Sequence, residues 1–507
     1  MISGENADVR WAKVIDHTRC IGCHACTTAC KSENLVPLGV TRTYVKYADV
    51  GEFPQARRAF QVTRCNQCAD PPCVAACPTT AMYQRADGIV DFDKRICIGC
   101  KACIAACPYD AIFINPKDHS AEKCNFCAHR LDIGLEPACV VVCPTEAILI
   151  GDLNDEHAKV TQLVNRQPVA VRRPEKETRP KLFYRGAHQA TLDPLAARRP
   201  DGGLFMWSEQ RQGDGFVVSG HPGSANNAAA ALLSYDVPHS RPWDWRVSLY
   251  TWTKGLAAGA YLVAAALWWF GFIETEGFVW QWAAPVVAGA FLALTGAILL
   301  WDLEHPARFY LIFTKFHWRS WLVKGSVIIS LYAAVLAAHF AASLLGTVNL
   351  PAWLVWLGAP LAALTAVYTA YLFAQAKARD LWQNPLLPPH LLVQALMVGA
   401  AALSPVAAWR EPAALAPLLG LAAAASLLHL LCIAGEITLT HPTAHAHLAV
   451  QEMTRGRYRW YFRLGVILAA VGLFAPWLGL AAAPPVLAGL LLYEHAYVQA
   501  GQAVPLA

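Results

Sequence analysis

Cys20-Ile-Gly-Cys23-His-Ala-Cys26-Thr-Thr-Ala-Cys30 and Cys97-Ile-Gly-Cys100-Lys-Ala-Cys103-Ile-Ala-Ala-Cys107 repeat one spacing, C-x2-C-x2-C-x3-C. Two further runs, Cys65, Cys68, Cys73, Cys77 and Cys124, Cys127, Cys139, Cys143, keep the outer pairs and lengthen the middle gap. Together they take up all but one of the 17 cysteines, which marks them as metal ligands. Disulfides are a poor alternative, because thiols so close in sequence rarely reach bridging geometry. Structural zinc needs four thiolates but has no reason to repeat the C-x3-C-P ending seen at Pro78, Pro108 and Pro144. Lys31 follows Cys30 in place of proline, a departure that costs no ligand.

The spacing is that of bacterial ferredoxins, in which three thiolates on one loop hold three irons of a 4Fe-4S cubane and the fourth cysteine, expected here to start a helix, reaches the neighbouring cluster. Four clusters are therefore expected. One takes Cys20, Cys23, Cys26 and Cys143, and its mate takes Cys124, Cys127, Cys139 and Cys30. The inner pair takes Cys65, Cys68, Cys73 with Cys107, and Cys97, Cys100, Cys103 with Cys77. Every ligand position is Cys, so no cluster short of an iron is expected. After Cys77 and Cys107 the sequence reads as a short helix leading into a small strand, with Asp87-Gly88 as a turn. Residues 1–151 are thus predicted to form an α+β double-ferredoxin domain in which the clusters supply much of the stabilisation.

Residues 152–242, with Arg172, Arg173, Pro174, Arg179, Pro180, Pro200, Asp201, Gly202 and Gly203, show no sustained period. They read as an extended tether, with Tyr184, Phe205 and Trp207 packing it on the ferredoxin domain or a partner. Residues 243–507 read as an all-α transmembrane bundle of about eight helices, since the hydrophobic fraction of 56% against 15% charge is concentrated there. The spans fall near 247–273, 283–301, 321–346, 353–376, 390–409, 413–435, 463–481 and 484–500, most of them long enough for a hydrocarbon core of about 30 Å.

Arg241, Arg246, Arg308, Lys315, Arg319, Lys377, Arg379, Arg455, Arg457 and Arg459 gather on the side of the ferredoxin domain, against essentially Arg410 opposite. The positive-inside rule then places that domain in the cytoplasm, on the inner membrane of a prokaryote. The polar start Met1-Ile-Ser-Gly-Glu-Asn-Ala-Asp, without an apolar signal region or twin arginine, points the same way. With a net charge of +5 and no basic block interleaved with aromatics, nucleic acid is excluded as a partner.

Ionisable residues in spans are costly in lipid and mark function by default. They are Lys254, Asp302, His305, Arg308, Lys324, His339, His429, Glu436 and Glu494. A quinone head needs donors to its carbonyls and a proton route, which makes Asp302, His305 and Arg308 the candidate quinone set; an interfacial cap is the plainer reading. His429 and Glu436 share a helix face and suit a proton path or interhelical hydrogen bonding. His441, His445 and His447 read as loop histidines, His339 with His429 as a faint haem pair, and Cys432 as packing.

The four quartets resemble the four-cluster subunits of complex iron-sulfur molybdoenzymes. Asp302-Leu-Glu-His-Pro-Ala-Arg-Phe309 and Tyr493-Glu494-His495-Ala-Tyr497-Val-Gln-Ala-Gly-Gln502 resemble the polysulfide-reductase (NrfD) type of membrane anchor. The two modules are fused here, while in most relatives they are separate polypeptides. The resemblance implies a partner, a catalytic subunit carrying a molybdenum bis-pterin cofactor, in which substrate chemistry takes place. This chain would be the electron-transfer and quinone-reacting subunit of the oxidoreductase, joining that partner to quinone in membrane lipid. Polysulfide, thiosulfate and tetrathionate reductases and sulfite dehydrogenases belong to this group. A subunit of an alternative-complex-III-like quinol-oxidising assembly is the other reading.

Overall fold

A computed structural model describes residues 9–51, 54–198, 231–346 and 352–506. Phe205, Trp207 and the Pro200 to Gly203 stretch lie outside the described residues. The chain divides into two compact units. One is Met1–Pro242 with Ala376–Ala378 and Val504–Ala507, and the other is Trp243–Gln375 with Arg379–Ala503.

The first unit is α+β. Strand β1 (Trp11–Asp16) leads through the first cysteine loop to helix α1 (Ala25–Glu33), then to a long hairpin of β2 (Thr43–Val50) and β3 (Arg57–Arg64). Helix α2 (Pro72–Ala76) precedes the hairpin of β4 (Met82–Gln84) and β5 (Val90–Phe92), and α3 (Ala102–Ala106) precedes that of β6 (Ile112–Ile114) and β7 (Ala121–Lys123). Then follow α4 (Ala128–Leu131), α5 (Ala138–Val141) and β8 (Ile148–Asp152). Gly22 has φ +70°, and a Cβ there would lie 2.3 Å from the Phe60 ring, so the first C-x2-C turn closes against β3 only with glycine.

The fourth cysteine does not start a helix. Cys77 and Cys107 instead cap the C-terminal ends of α2 and α3, at φ −70°, ψ 120° and φ −78°, ψ 112°. Pro78 and Pro108 explain the correction, because a residue before proline is pushed out of the helical region. Cys30, followed by Lys31, lies inside α1, which runs on to Glu33.

Residues beyond Asp152 do more than tether. Helix α6 (Lys159–Arg166) buries Val160 against Ala12 and Val14 of β1. Strands β9 (Val169–Ala170) and β10 (Leu182–Arg185) complete a four-stranded sheet in the order β8-β1-β10-β9, with β10 parallel to β1. After α7 (Gln189–Leu192), β11 (Ala231–Tyr235) pairs antiparallel with β2. The scattered apolar residues of this segment are strand positions, too few per strand to show a period: Leu182 and Tyr184 are buried, and Phe183 and Arg185 half-buried.

His239 joins this unit to Asp110 and, at 3.0 Å, to Asp236. Burial alone would lower its pKa, but the two carboxylates outweigh that and lift it to about 9. A His pKa raised above its unfolded value near 6.5 stabilises the fold fully below that value and ceases to do so as pH climbs through about 9. The purified protein is therefore expected to lose thermal stability between about pH 7 and 9, by on the order of 2 kcal/mol. His239→Gln should flatten that part of a melting-temperature profile.

The second unit is all-helical: α8 (Trp245–Trp269), α9 (Ala284–Asp302), a short α10 (Leu311–Thr314), α11 (Trp321–Leu344), α12 (Ala352–Gln375), α13 (Leu387–Arg410) and α14 (Leu415–Thr438). Helix α15 (Ala444–Thr454) then leads to α16 (Arg459–Val471), α17 (Ala475–Leu478) and α18 (Ala483–Gly501). Six stretches among the described residues are long and apolar enough to cross a membrane, against the eight expected. The difference has two sources. Helix α8 is diluted by Thr251, Thr253 and Lys254, and Arg459–Gly501 forms one apolar stretch broken by turns at Gly472–Phe474 and Gly479–Ala482. Across those turns α16 folds back to pack on α18.

Candidate functional site

The structure gathers the cysteines across the quartets. Cys20, Cys23, Cys26 and Cys143 line one hollow, and Cys97, Cys100, Cys103 and Cys77 line another. Cys30 lies within electrostatic reach of Cys124, Cys139 and Cys127, and Cys73 within reach of Cys65, Cys107 and Cys68. Sulfurs of adjacent groups also interact: Cys26 with Cys139, Cys65 with Cys124, and Cys103 with Cys73. The four cages thus follow one another as a series, from the Cys20 cage through the Cys30 and Cys65 cages to the Cys97 cage.

Donor chemistry suits an iron-sulfur cubane. Burial, reinforced by neighbouring thiolates, pushes the Cys30 and Cys68 thiols up to about 12 and Cys26 to about 11. Such thiols ionise together only if cations sit among them, which is what iron supplies. Backbone N–H groups of Met82, Ala121 and Ala147 donate to Cys77, Cys97 and Cys143 at 3.3, 3.4 and 3.2 Å. Asn34 Nδ2 donates to both Cys30 and Cys127 at 3.7 Å, and is oriented by Arg42, whose Nη1 donates to Asn34 Oδ1 at 2.7 Å. Cys139 differs from the rest: burial would raise it, but Lys13 and Arg64 bring it down to about 7.

In the helical unit, Asp302 ends α9 with its carboxylate 3.5 Å from Arg246, while His305 and Arg308 flank the turn that follows. Glu436 is bonded elsewhere. His390 Nδ1 donates to Glu436 Oε1 at 2.8 Å, and the Tyr493 hydroxyl donates to Oε2 at 2.5 Å. His390 Nε2 lies 2.7 Å from His429 Nδ1, extending the run of hydrogen bonds by a further imidazole. All four side chains are buried. On α8, Lys254 Nζ donates to Ala366 O and Thr369 Oγ1, each at 2.7 Å, and Thr251 donates to Glu494 at 2.9 Å.

A 4Fe-4S dicluster domain model matches residues 57–153, and the polysulphide reductase NrfD model matches residues 235–488. The second match spans half of the chain. The chain belongs to the NrfD family. The chain is 43% identical over 208 residues to the B subunit of tetrathionate reductase from Salmonella typhimurium, covering 39% of this chain and 80% of that one. The B polypeptide of polysulfide reductase from Wolinella succinogenes is 42% identical over 177 residues, 34% of this chain and 93% of the relative. The B subunit of selenate reductase from Mesobacillus selenatarsenatis is 36% identical over 210 residues, 35% and 72% of the two chains. This NrfD-family protein is thus an iron-sulfur electron-transfer subunit with a multi-pass membrane module.

His390 is absent from the ionisable residues that the sequence singles out in this NrfD-type bundle. Its signal is a histidine following Pro388-Pro389 at the mouth of a span, with Gln394 one turn on. His339 and His429 are not brought together: His339 bonds Tyr261 at 3.2 Å and packs on Trp280, whereas His429 meets His390. His441 and His447 sit with ring centroids 6.4 Å apart at the start of α15. Cys432 is half-buried in α14.

Proposed function

We propose that this chain is the electron-transfer and membrane-anchor subunit of a quinone-linked molybdopterin oxidoreductase. The observation that carries the reading is the grouping of four cysteine cages in series within a chain that also belongs to the NrfD family. When bound, 4Fe-4S clusters supply one-electron carriers. The sixteen cysteines hold them, the first unit insulates them from water, and the helical unit anchors the chain and meets quinone. Asp302, His305, Arg308 and Glu436 are the proposed quinone and proton residues, with His390, His429 and Tyr493 joined to the last. Eight crossings fit best, with α8 as the first and α16 and α18 as the last two. Arg246, Arg308, Arg319 and Arg379 lie at the end of the bundle where the chain enters α8, and Arg410 at the other, which favours a cytoplasmic ferredoxin unit.

The relatives' names, each a B component of a reductase, support a catalytic partner acting on an oxyanion or sulfur compound. Purification of the complex through a tag on this chain tests the reading. Expected are about sixteen irons per chain, four to a cage, together with a molybdenum-bearing large subunit and clusters that a quinol analogue reduces. Zinc in place of iron would overturn the site. Co-purified multihaem cytochromes without molybdenum would point to the alternative-complex-III-like reading.

A further inference from the structure

Arg64 ends β3 and is 2% exposed, yet among the described residues no carboxylate pairs with it. Its Nη1 donates to Cys139 Sγ at 3.0 Å, while its buried Nε and Nη2 find no hydrogen-bond acceptor among the described residues. A guanidinium taken out of water without a partner is costly, and such a group persists only where negative charge lies close by. Arg42, also buried, shows the ordinary solution: its Nε donates to Glu122 at 2.8 Å. Lys13 is 1% exposed and brings a second cation to the same sulfur, with Nζ 3.8 Å from Cys139 Sγ and 4.0 Å from the centre of the Phe126 ring.

Other cage sulfurs have neutral donors. Cys77, Cys97 and Cys143 accept from neutral backbone N–H groups, and Cys30 and Cys127 from the Asn34 amide. Lys123 is buried too and lies within electrostatic reach of Cys65 and Cys73, while its ammonium donates to the carbonyls of Val90 and Cys124.

A thiolate-ligated 4Fe-4S cluster is anionic and gains one further negative charge on reduction. A fixed cation at its edge, in a low-dielectric interior, therefore stabilises the reduced form more than the oxidised one. We infer that Arg64 and Lys13 raise the reduction potential of the cluster held by Cys30, Cys124, Cys127 and Cys139. The inference rests on the proposed loading of the cages. Arg64 and Lys13 act through the cluster ligand Cys139 and are positioning residues. That cluster is internal, second in the series counted from the Cys20 cage.

The test is an EPR-monitored redox titration of the intact complex, with the signal of this cage assigned beforehand by its loss or alteration in Cys127→Ser. In Arg64→Gln, the ratio of reduced to oxidised cluster at fixed potential should fall at least tenfold for that signal, a downward shift of about 59 mV or more. Lys13→Gln should shift the same signal in the same direction by less, and Arg64→Lys should stay close to wild type. Equal shifts in Arg64→Lys and Arg64→Gln, a larger shift in another signal, or no shift with the iron content intact would each overturn the inference. Should Arg64→Gln lose four irons, Lys13→Gln decides alone, and an unmoved signal there counts against it. A wild-type complex without iron would instead overturn the loading of the cages, a result visible in the metal analysis before any titration.

Discussion

Replacing Glu436 by Gln is expected to leave every cluster in place and slow quinone-linked turnover by about a hundredfold, the lower range for removal of a positioned acid or base. The carboxylate is buried in α14, where an ionisable group is expensive, and both oxygens are engaged by donors from other helices, His390 on α13 and Tyr493 on α18. Gln keeps the size and one acceptor oxygen. It cannot accept both hydrogen bonds in the same way, nor take up and release a proton. His390 also bridges to His429, so the hydrogen bonds at Glu436 continue through one imidazole to a second. The measurement is quinol oxidation by the complex beside iron content and dithionite reduction of the clusters. Turnover within about threefold of wild type, with Asp302→Asn severely impaired, would make Glu436 an interhelical brace and leave Asp302, His305 and Arg308 as the working set.

Gly399→Leu is expected to abolish assembly of the helical unit. A Cβ at Gly399 would lie 2.2 Å from the carbonyl carbon of Gly259, and one at Gly259 would lie 1.8 Å from the carbonyl oxygen of Ala395. Helices α8 and α13 therefore meet backbone to backbone, with Gly255 and Gly259 one helical turn apart on one side and Ala395 and Gly399 on the other. In lipid such close approach replaces the hydrophobic drive that water would provide, and a leucine side chain would force the two helices apart. The loss should exceed about 3 kcal/mol, the upper range for overpacking a tight interior. Gly420→Leu is the control, because nothing lies within 4 Å of a Cβ there. Detergent-extracted protein should elute as aggregate for the first variant and as a single complex for the second. A well-behaved Gly399→Leu protein would mean that α8 and α13 do not make this contact.

What this sequence determined alone was whatever depends on neighbours along the chain. Cysteine spacing specified the ligand chemistry, since three sulfurs within one short loop have no choice but to share a cluster. The Cys-Pro pairs determined where α2 and α3 stop, although reading the cysteine as a helix start applies that local rule in the wrong direction. Long apolar runs marked the membrane unit, because about twenty such residues in a row bury nothing without lipid. Only the tertiary structure decided what depends on residues far apart. The strands of the 152–242 segment form because β10 finds β1 and β11 finds β2, partners distant in the chain that leave no periodic trace in so few residues. Glu436 was legible as an outlier in a span, but its partners His390 and Tyr493 are brought to it by helix packing. Arg64 carries no signal along the chain; the β2–β3 hairpin brings it to Cys139, 75 positions on, where burial makes a cation without a carboxylate informative.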